Sequence, residues 1–191
     1  MAHISLRLGN VGLLRNKIKG VPRGLYRLHH SGSAHFITFT CYHRYKHLDD
    51  PFVRDLFVRA LERSRKLYKM LVYGFVVMPE HVHLLVSEPE RGTVANAIQS
   101  LKISSAKQAK QWHAMAEEAR AFWQKRYYDR NVRGKEFTEK LRYIHRNPTR
   151  RNLVIRPEDW KWSSYRHYLT GESCGVDIEC WRNRTYSFPI P

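Results

Sequence analysis

The sequence lacks any apolar run of the roughly 18 residues needed to cross a bilayer, and Met1 to Asn10 carries no long apolar core of the secretory kind. A membrane partner is therefore not expected. Cysteine is scarce: Cys41, Cys174 and Cys180 are the only ones, odd in number and without CxxC spacing. That excludes a disulfide frame or zinc knuckle and fits reduced thiols in a cytoplasmic protein. No GxxxxGK[ST] loop is present, so nothing points to a nucleotide-driven reaction. Internal repeats and low-complexity tracts are also missing. Acid is the last shortage. Residues 1–30 hold Arg7, Arg15, Lys17, Lys19, Arg23 and Arg27 with no Asp or Glu. Residues 140–156 hold Lys140, Arg142, Arg146, Arg150, Arg151 and Arg156, again with none.

What remains is strongly basic. Across 191 residues, 34 Lys and Arg face 17 Asp and Glu, a formal charge of +17. Acid-free clusters in such a chain point to a polyanion, and phosphate contact is the expectation. With 42% hydrophobic residues the chain can bury a core, and its length suits one domain with an appended arm. The reading divides it into a basic arm over 1–30, a main domain over 31–170 and a C-terminal tail over 171–191.

His35 to Tyr42 alternates and is β-rich, which predicts a first strand. Asp50-Pro51 supplies an N-cap and a first-turn proline for a helix ending near Met70, with Val53, Leu56, Phe57, Ala60, Leu61 and Leu67 on its inner stripe. Leu71 to Val77 predicts a second strand. Met78-Pro79-Glu80 interrupts it, because proline cannot donate to a ladder, and a further strand follows at once. A second helix runs from Thr93 to Trp112. Phe122 to Val132 holds a short strand. A third helix spans Lys135 to Asn147 and stops at Pro148. Asn152 to Tyr168 reads as loop and short helix. This order predicts an α+β layer with an antiparallel sheet.

The chemistry begins with His81-Val82-His83. In a strand both imidazoles point to one face, while Val82, Leu84 and Val86 point to the other. Paired imidazoles are a start for a metal site. Two satisfied histidines on a half-exposed sheet would look the same. In the third helix Phe137, Leu141 and Ile144 form the core stripe. Tyr143 lies off that stripe, one turn from Asn147 on the same flank. A surface aromatic and a nucleophile are both compatible with that position. Two imidazoles and a neutral amide oxygen would suit Mn²⁺ or Mg²⁺, and a divalent cation on a phosphate would help a phenol attack it. Phe122, Trp123, Tyr127 and Tyr128, interleaved with Lys125, Arg126 and Arg130, form a candidate stacking-plus-phosphate surface. Glu80 reads as a solvated turn acid before an outer-shell base or metal partner, His145 as structural, and Trp160, Trp162, Tyr165 and Tyr168 as core before base-stacking rings.

Met78-Pro79-Glu80-His81-Val82-His83-Leu84-Leu85-Val86, Tyr143-Ile144-His145-Arg146-Asn147-Pro148 and Asp159-Trp160-Lys161-Trp162-Ser163-Ser164-Tyr165, in that order and spacing, resemble the REP-associated tyrosine transposases. These are single-strand transposases of the HUH class, in which two histidines flank a bulky apolar residue. The resemblance covers roughly residues 22–170. It implies an RRM-like or ferredoxin-like sandwich and a Mg²⁺ or Mn²⁺ ion held by His81 and His83. It also implies Tyr143 as the nucleophile, giving a 5′-phosphotyrosine and a free 3′-OH. Asn147 stands where related transposases carry a glutamine as third ligand, and is one methylene shorter. The implied partner is single-stranded or hairpin DNA from a palindromic repeat, met as a monomer or homodimer. Arg23 and Arg27 in the arm, Lys125, Arg126 and Arg130, and Arg150 and Arg151 at the helix exit are the expected DNA contacts. A domesticated module that only holds hairpins is the alternative. A zinc hydrolase is a third reading, and it lacks an obvious third ligand.

Overall fold

Alternation along His35-Phe36-Ile37-Thr38-Phe39-Thr40 gives the first strand, β1, which spans Ala34–Thr40. In this computed structural model residues 33–112 and 121–180 are described. The basic arm, with Arg23 and Arg27, lies outside them. Helix α1 (Pro51–Tyr68) starts where Asp50 accepts the Phe52 amide at 2.8 Å, and ends at Lys69 in the left-handed region. Strands β2 (Val72–Val77) and β3 (His81–Val86) flank the proline turn. Helix α2 (Val94–Trp112) is capped by Thr93, whose hydroxyl accepts the Asn96 amide at 3.1 Å. Strand β4 (Tyr128–Val132), helix α3 (Gly134–Arg150) and the short helix α4 (Tyr165–Thr170) follow.

The sheet order is β2-β3-β1-β4, all antiparallel. With α1 and α2 as the crossovers this is the ferredoxin-like βαββαβ arrangement that the family resemblance implied. Both helices pack on one face of the sheet. There Ile37, Phe39, Val82, Leu84 and Val86 meet Phe57, Leu61, Ile98 and Leu101. α3 covers the other face, setting Phe137, Leu141 and Ile144 against Phe36, Tyr73, Val76 and Leu85. The outer edge of β2 is covered by the aromatic block. Ser163 bridges Val76, and Trp160 donates its indole N–H to the Val77 carbonyl at 3.0 Å. Arg54 of α1 lies over the Trp162 and Trp160 rings. Residues 171–180 run along the surface, with only Val176 and Ile178 entering the core.

Three expectations change. Leu67 is 56% exposed, because the inner stripe of α1 ends at Ser64. Pro148 does not stop α3. It is buried within the last turn, and the helix continues so that the Arg151 amide reaches the Asn147 carbonyl at 3.1 Å. Phe122 and Trp123 belong to the core, not to a stacking surface; Trp123 meets Phe39 edge-on at 4.9 Å.

Gly74 sits beside an irregularity in β2, where α3 approaches the strand backbone directly. A Cβ there would overlap Leu141 Cδ1 and lie 3.3 Å from Ser164 Oγ. Leu141 is buried and cannot swing away. Gly74→Ala is expected to cost about 1–3 kcal/mol by overpacking, read as a lowered urea midpoint. An unchanged midpoint would show that α3 has room to shift.

Candidate active site

β3 presents His81 and His83 toward α3, on the same face as Leu85, while Val82 and Leu84 enter the opposite core. The two rings converge, with His81 Nε2 and His83 Nε2 3.1 Å apart. Each Nδ1 is engaged. His81 Nδ1 meets Glu80 Oε1 at 3.1 Å, and His83 Nδ1 meets Thr38 Oγ1 at 2.7 Å across the β1–β3 pair. Burial pushes the His83 imidazole down to about 3, helped by nearby His81 and Lys140. Burial also lowers His81, against the pull of Glu80. Both rings are therefore neutral near pH 7, the form in which imidazole offers a lone pair.

α3 brings Tyr143 to this pair. Its ring lies edge-on to His83 with centroids 5.2 Å apart, and edge-on to Phe36 at 6.0 Å. Tyr143 keeps 36% exposure, as its off-stripe position implied. Four residues on, Asn147 is helical and buried, and its Oδ1 has no partner among the described residues. Its place follows from its neighbours. One turn before it Tyr143 stands beside His83, and one turn after it Arg151 bonds Glu80 at 2.8 Å. Asn147 thus sits at the level of the two imidazoles.

These groups fit a divalent cation. Two ligands each about 2.1 Å from one ion and at right angles stand about 3.0 Å apart, close to the 3.1 Å between the Nε2 atoms. The orphaned Asn147 oxygen could supply a third donor. Among the described residues no cluster of three His, Cys, Asp or Glu side chains could hold a metal, so the zinc-hydrolase reading finds no third ligand of that kind there.

Around Tyr143 the surface is cationic. A groove of about 270 Å³ is lined by Lys140, Arg142, Arg146 and Arg150 against the single acid Glu139. Arg150 lies over the Tyr143 ring at 5.9 Å, and Lys140 over Phe36 at 4.9 Å. Tyr128, 39% exposed, and Arg130 face the same side, paired across the sheet with Thr38 and Phe36. Arg130 also bonds Glu136 at 2.7 Å. Lys125 and Arg126 are exposed in the segment leading into β4.

Glu80 corrects an expectation. Far from solvated, it is 5% exposed and held by His81, Arg151 and, at 3.6 Å, Arg44. Burial alone would raise its carboxyl; His81 and Arg151 outweigh this and hold it below the usual carboxylate range. Arg151 accordingly gives one arm to Glu80. His145 is structural as read, with Nε2 2.9 Å from Ser164 Oγ. Thr38 and Phe36 escaped sequence reasoning. Their only sign was a place on the β1 face opposite Ile37 and Phe39, and their role depends on a register with β3 that the sequence does not display.

A family model described as IS200-like transposase matches residues 29–147, more than half of the chain. Among solved structures, that of a REP-associated tyrosine transposase bound to a REP hairpin superimposes with a TM-score of 0.61. It is 19% identical, over 87% of this chain and 98% of that one, a likeness of fold. A candidate transposase from Deinococcus radiodurans superimposes with a TM-score of 0.47 at 20% identity, over 66% of this chain and 95% of that one. No curated protein matches the sequence.

Proposed function

The chain belongs to the IS200-like transposase family, and from that membership we propose that it nicks and rejoins single-stranded or hairpin DNA through Tyr143, with a divalent metal at His81, His83 and Asn147. The observation that carries this is the phenol ring set 5.2 Å from His83, beside two imidazole nitrogens that point at one another. In this reading the nucleophile and the metal donors come from one chain.

Tyr143 Oη forms a bond to the scissile phosphorus as its proton passes to water. The bond from phosphorus to the 3′ oxygen breaks, and that oxygen leaves as a hydroxyl after taking a proton. The product is a 5′-phosphotyrosine and a free 3′-OH, so one ester replaces another and no nucleotide is consumed. Rejoining is the same exchange run with a different 3′-OH. A bound Mg²⁺ or Mn²⁺ would polarise the phosphate and offset charge in the transition state. Arg150, Arg146 and Lys140 would hold the flanking phosphates. Tyr128 and Arg130 extend that surface across the sheet, suiting an unpaired base and its phosphate. A hairpin partner is supported by the charge of +17 and by the DNA in the structurally similar transposase.

The test uses a palindromic single strand labelled 3′ of the expected cut. With Mn²⁺ or Mg²⁺ a covalent protein–DNA adduct is expected, and with EDTA none. Tight, salt-sensitive binding with no adduct under any metal would favour the module that only holds hairpins.

A further inference from the structure

With both rings neutral and no cation between them, the hydrogen bonds around the two histidines allow one arrangement of protons. Glu80 is paired with two guanidinium groups, so its carboxylate only accepts. His81 Nδ1, 3.1 Å away, must carry the hydrogen, which leaves His81 Nε2 as a lone pair. His83 Nε2 lies 3.1 Å from that lone pair and must be the donor, since two lone pairs would repel there. His83 Nδ1 is then itself a lone pair and accepts the hydroxyl hydrogen of Thr38 at 2.7 Å.

A cation between the rings needs both Nε2 atoms free. His81 is already so disposed; His83 is not. We propose that Thr38 and Glu80 are positioning residues for the metal site: Glu80, braced by Arg151 and Arg44, holds His81 in its metal-ready tautomer, and Thr38 lets His83 change tautomer when the cation arrives. This rests on the metal site put forward above. In the change His83 gives its Nε2 proton to water and takes one at Nδ1, so the ring stays neutral. Thr38 then accepts from Nδ1–H, its own hydrogen turned away. A hydroxyl serves because it donates and accepts at one atom. Carboxylate or amide in its place would favour a single direction, and valine would serve neither. Partners of this kind, on the far nitrogen of a metal-bound imidazole, typically govern affinity by 10- to 100-fold.

The experiment records long-range ¹H–¹⁵N spectra of the full chain, with Zn²⁺ as a diamagnetic probe. Without metal, His81 is expected as Nδ1–H and His83 as Nε2–H; with Zn²⁺ both are expected as Nδ1–H. In parallel, Mn²⁺ affinity is titrated in the absence of DNA. Thr38→Val is expected to weaken it by tenfold or more and Glu80→Ala by a similar factor, whereas Thr38→Ser stays within about threefold of wild type. A metal-free His83 already in the Nδ1–H form, or wild-type Mn²⁺ affinity in Thr38→Val, overturns the proposal while leaving the metal site standing. Histidine signals that respond to no cation overturn both.

Discussion

Tyr143→Phe should leave a protein that grips its hairpin but never becomes joined to it. The substitution removes one oxygen. The ring keeps its edge contacts with His83 and Phe36, and α3 keeps its packing, because Tyr143 is off the buried stripe. Stability and hairpin affinity are therefore expected within about twofold of wild type. Adduct formation should fall by at least about a thousandfold, since loss of a covalent nucleophile removes most of a rate enhancement. Single-turnover reactions resolved on a denaturing gel measure it directly. An adduct formed at the wild-type rate would mean that another side chain attacks, and the geometry around His83 would lose its proposed meaning.

The second large effect is on stability in acid. His145 is buried beneath Tyr165 and Tyr168, and burial pushes its imidazole down to about 3. Its folded value lies below the unfolded value of about 6.5, so the folded protein favours the neutral ring. The associated stability is complete above that unfolded value and erodes as pH falls toward the folded one. At about 1.4 kcal/mol per unit, the loss near pH 4.5 is on the order of 2–3 kcal/mol. His83, also pushed down to about 3, adds in the same direction. His35 works oppositely. Burial lowers it, but the hydrogen bonds and charges of Asp129 and Glu88 outweigh this and raise it, so its contribution is present in acid and fades as pH rises through the raised value. Urea unfolding at pH 7.5, 6, 5 and 4.5 should show a steep decline. His145→Phe, which keeps a ring between the tyrosines, should flatten it. An equal slope in that variant would place the acid sensitivity elsewhere.

Much of this was readable from local pattern. Alternation in Ala34–Thr40 and His81–Val86, the Asp50-Pro51 start of α1 and the Phe137, Leu141 and Ile144 stripe are short-range signals, and each element formed where its signal lay. The misreadings share a physical cause in tertiary contact. Proline disfavours a continued helix by about 3 kcal/mol, yet Pro148 is buried and the helix runs on to Arg150. Glu80 looked like a turn acid because its partners, Arg44 and Arg151, are distant along the chain. Phe122 and Trp123 stand close to Lys125 and Arg126 in sequence, but their phenyl and indole rings pack inward, against His47 and Phe39 respectively. The candidate site was legible as residue types and order. Its convergence depends on the β1–β3 register and on how α3 crosses the sheet, and neither is a local property.

The pleat of β3 separates two duties. Val82 and Leu84 hold the fold together on one side, and His81 and His83 face α3 and the proposed site on the other. If the histidines serve cutting as proposed, a single codon change at either one would abolish it while the architecture survives. A relative that holds DNA without cutting it would then lie one mutational step from an active ancestor.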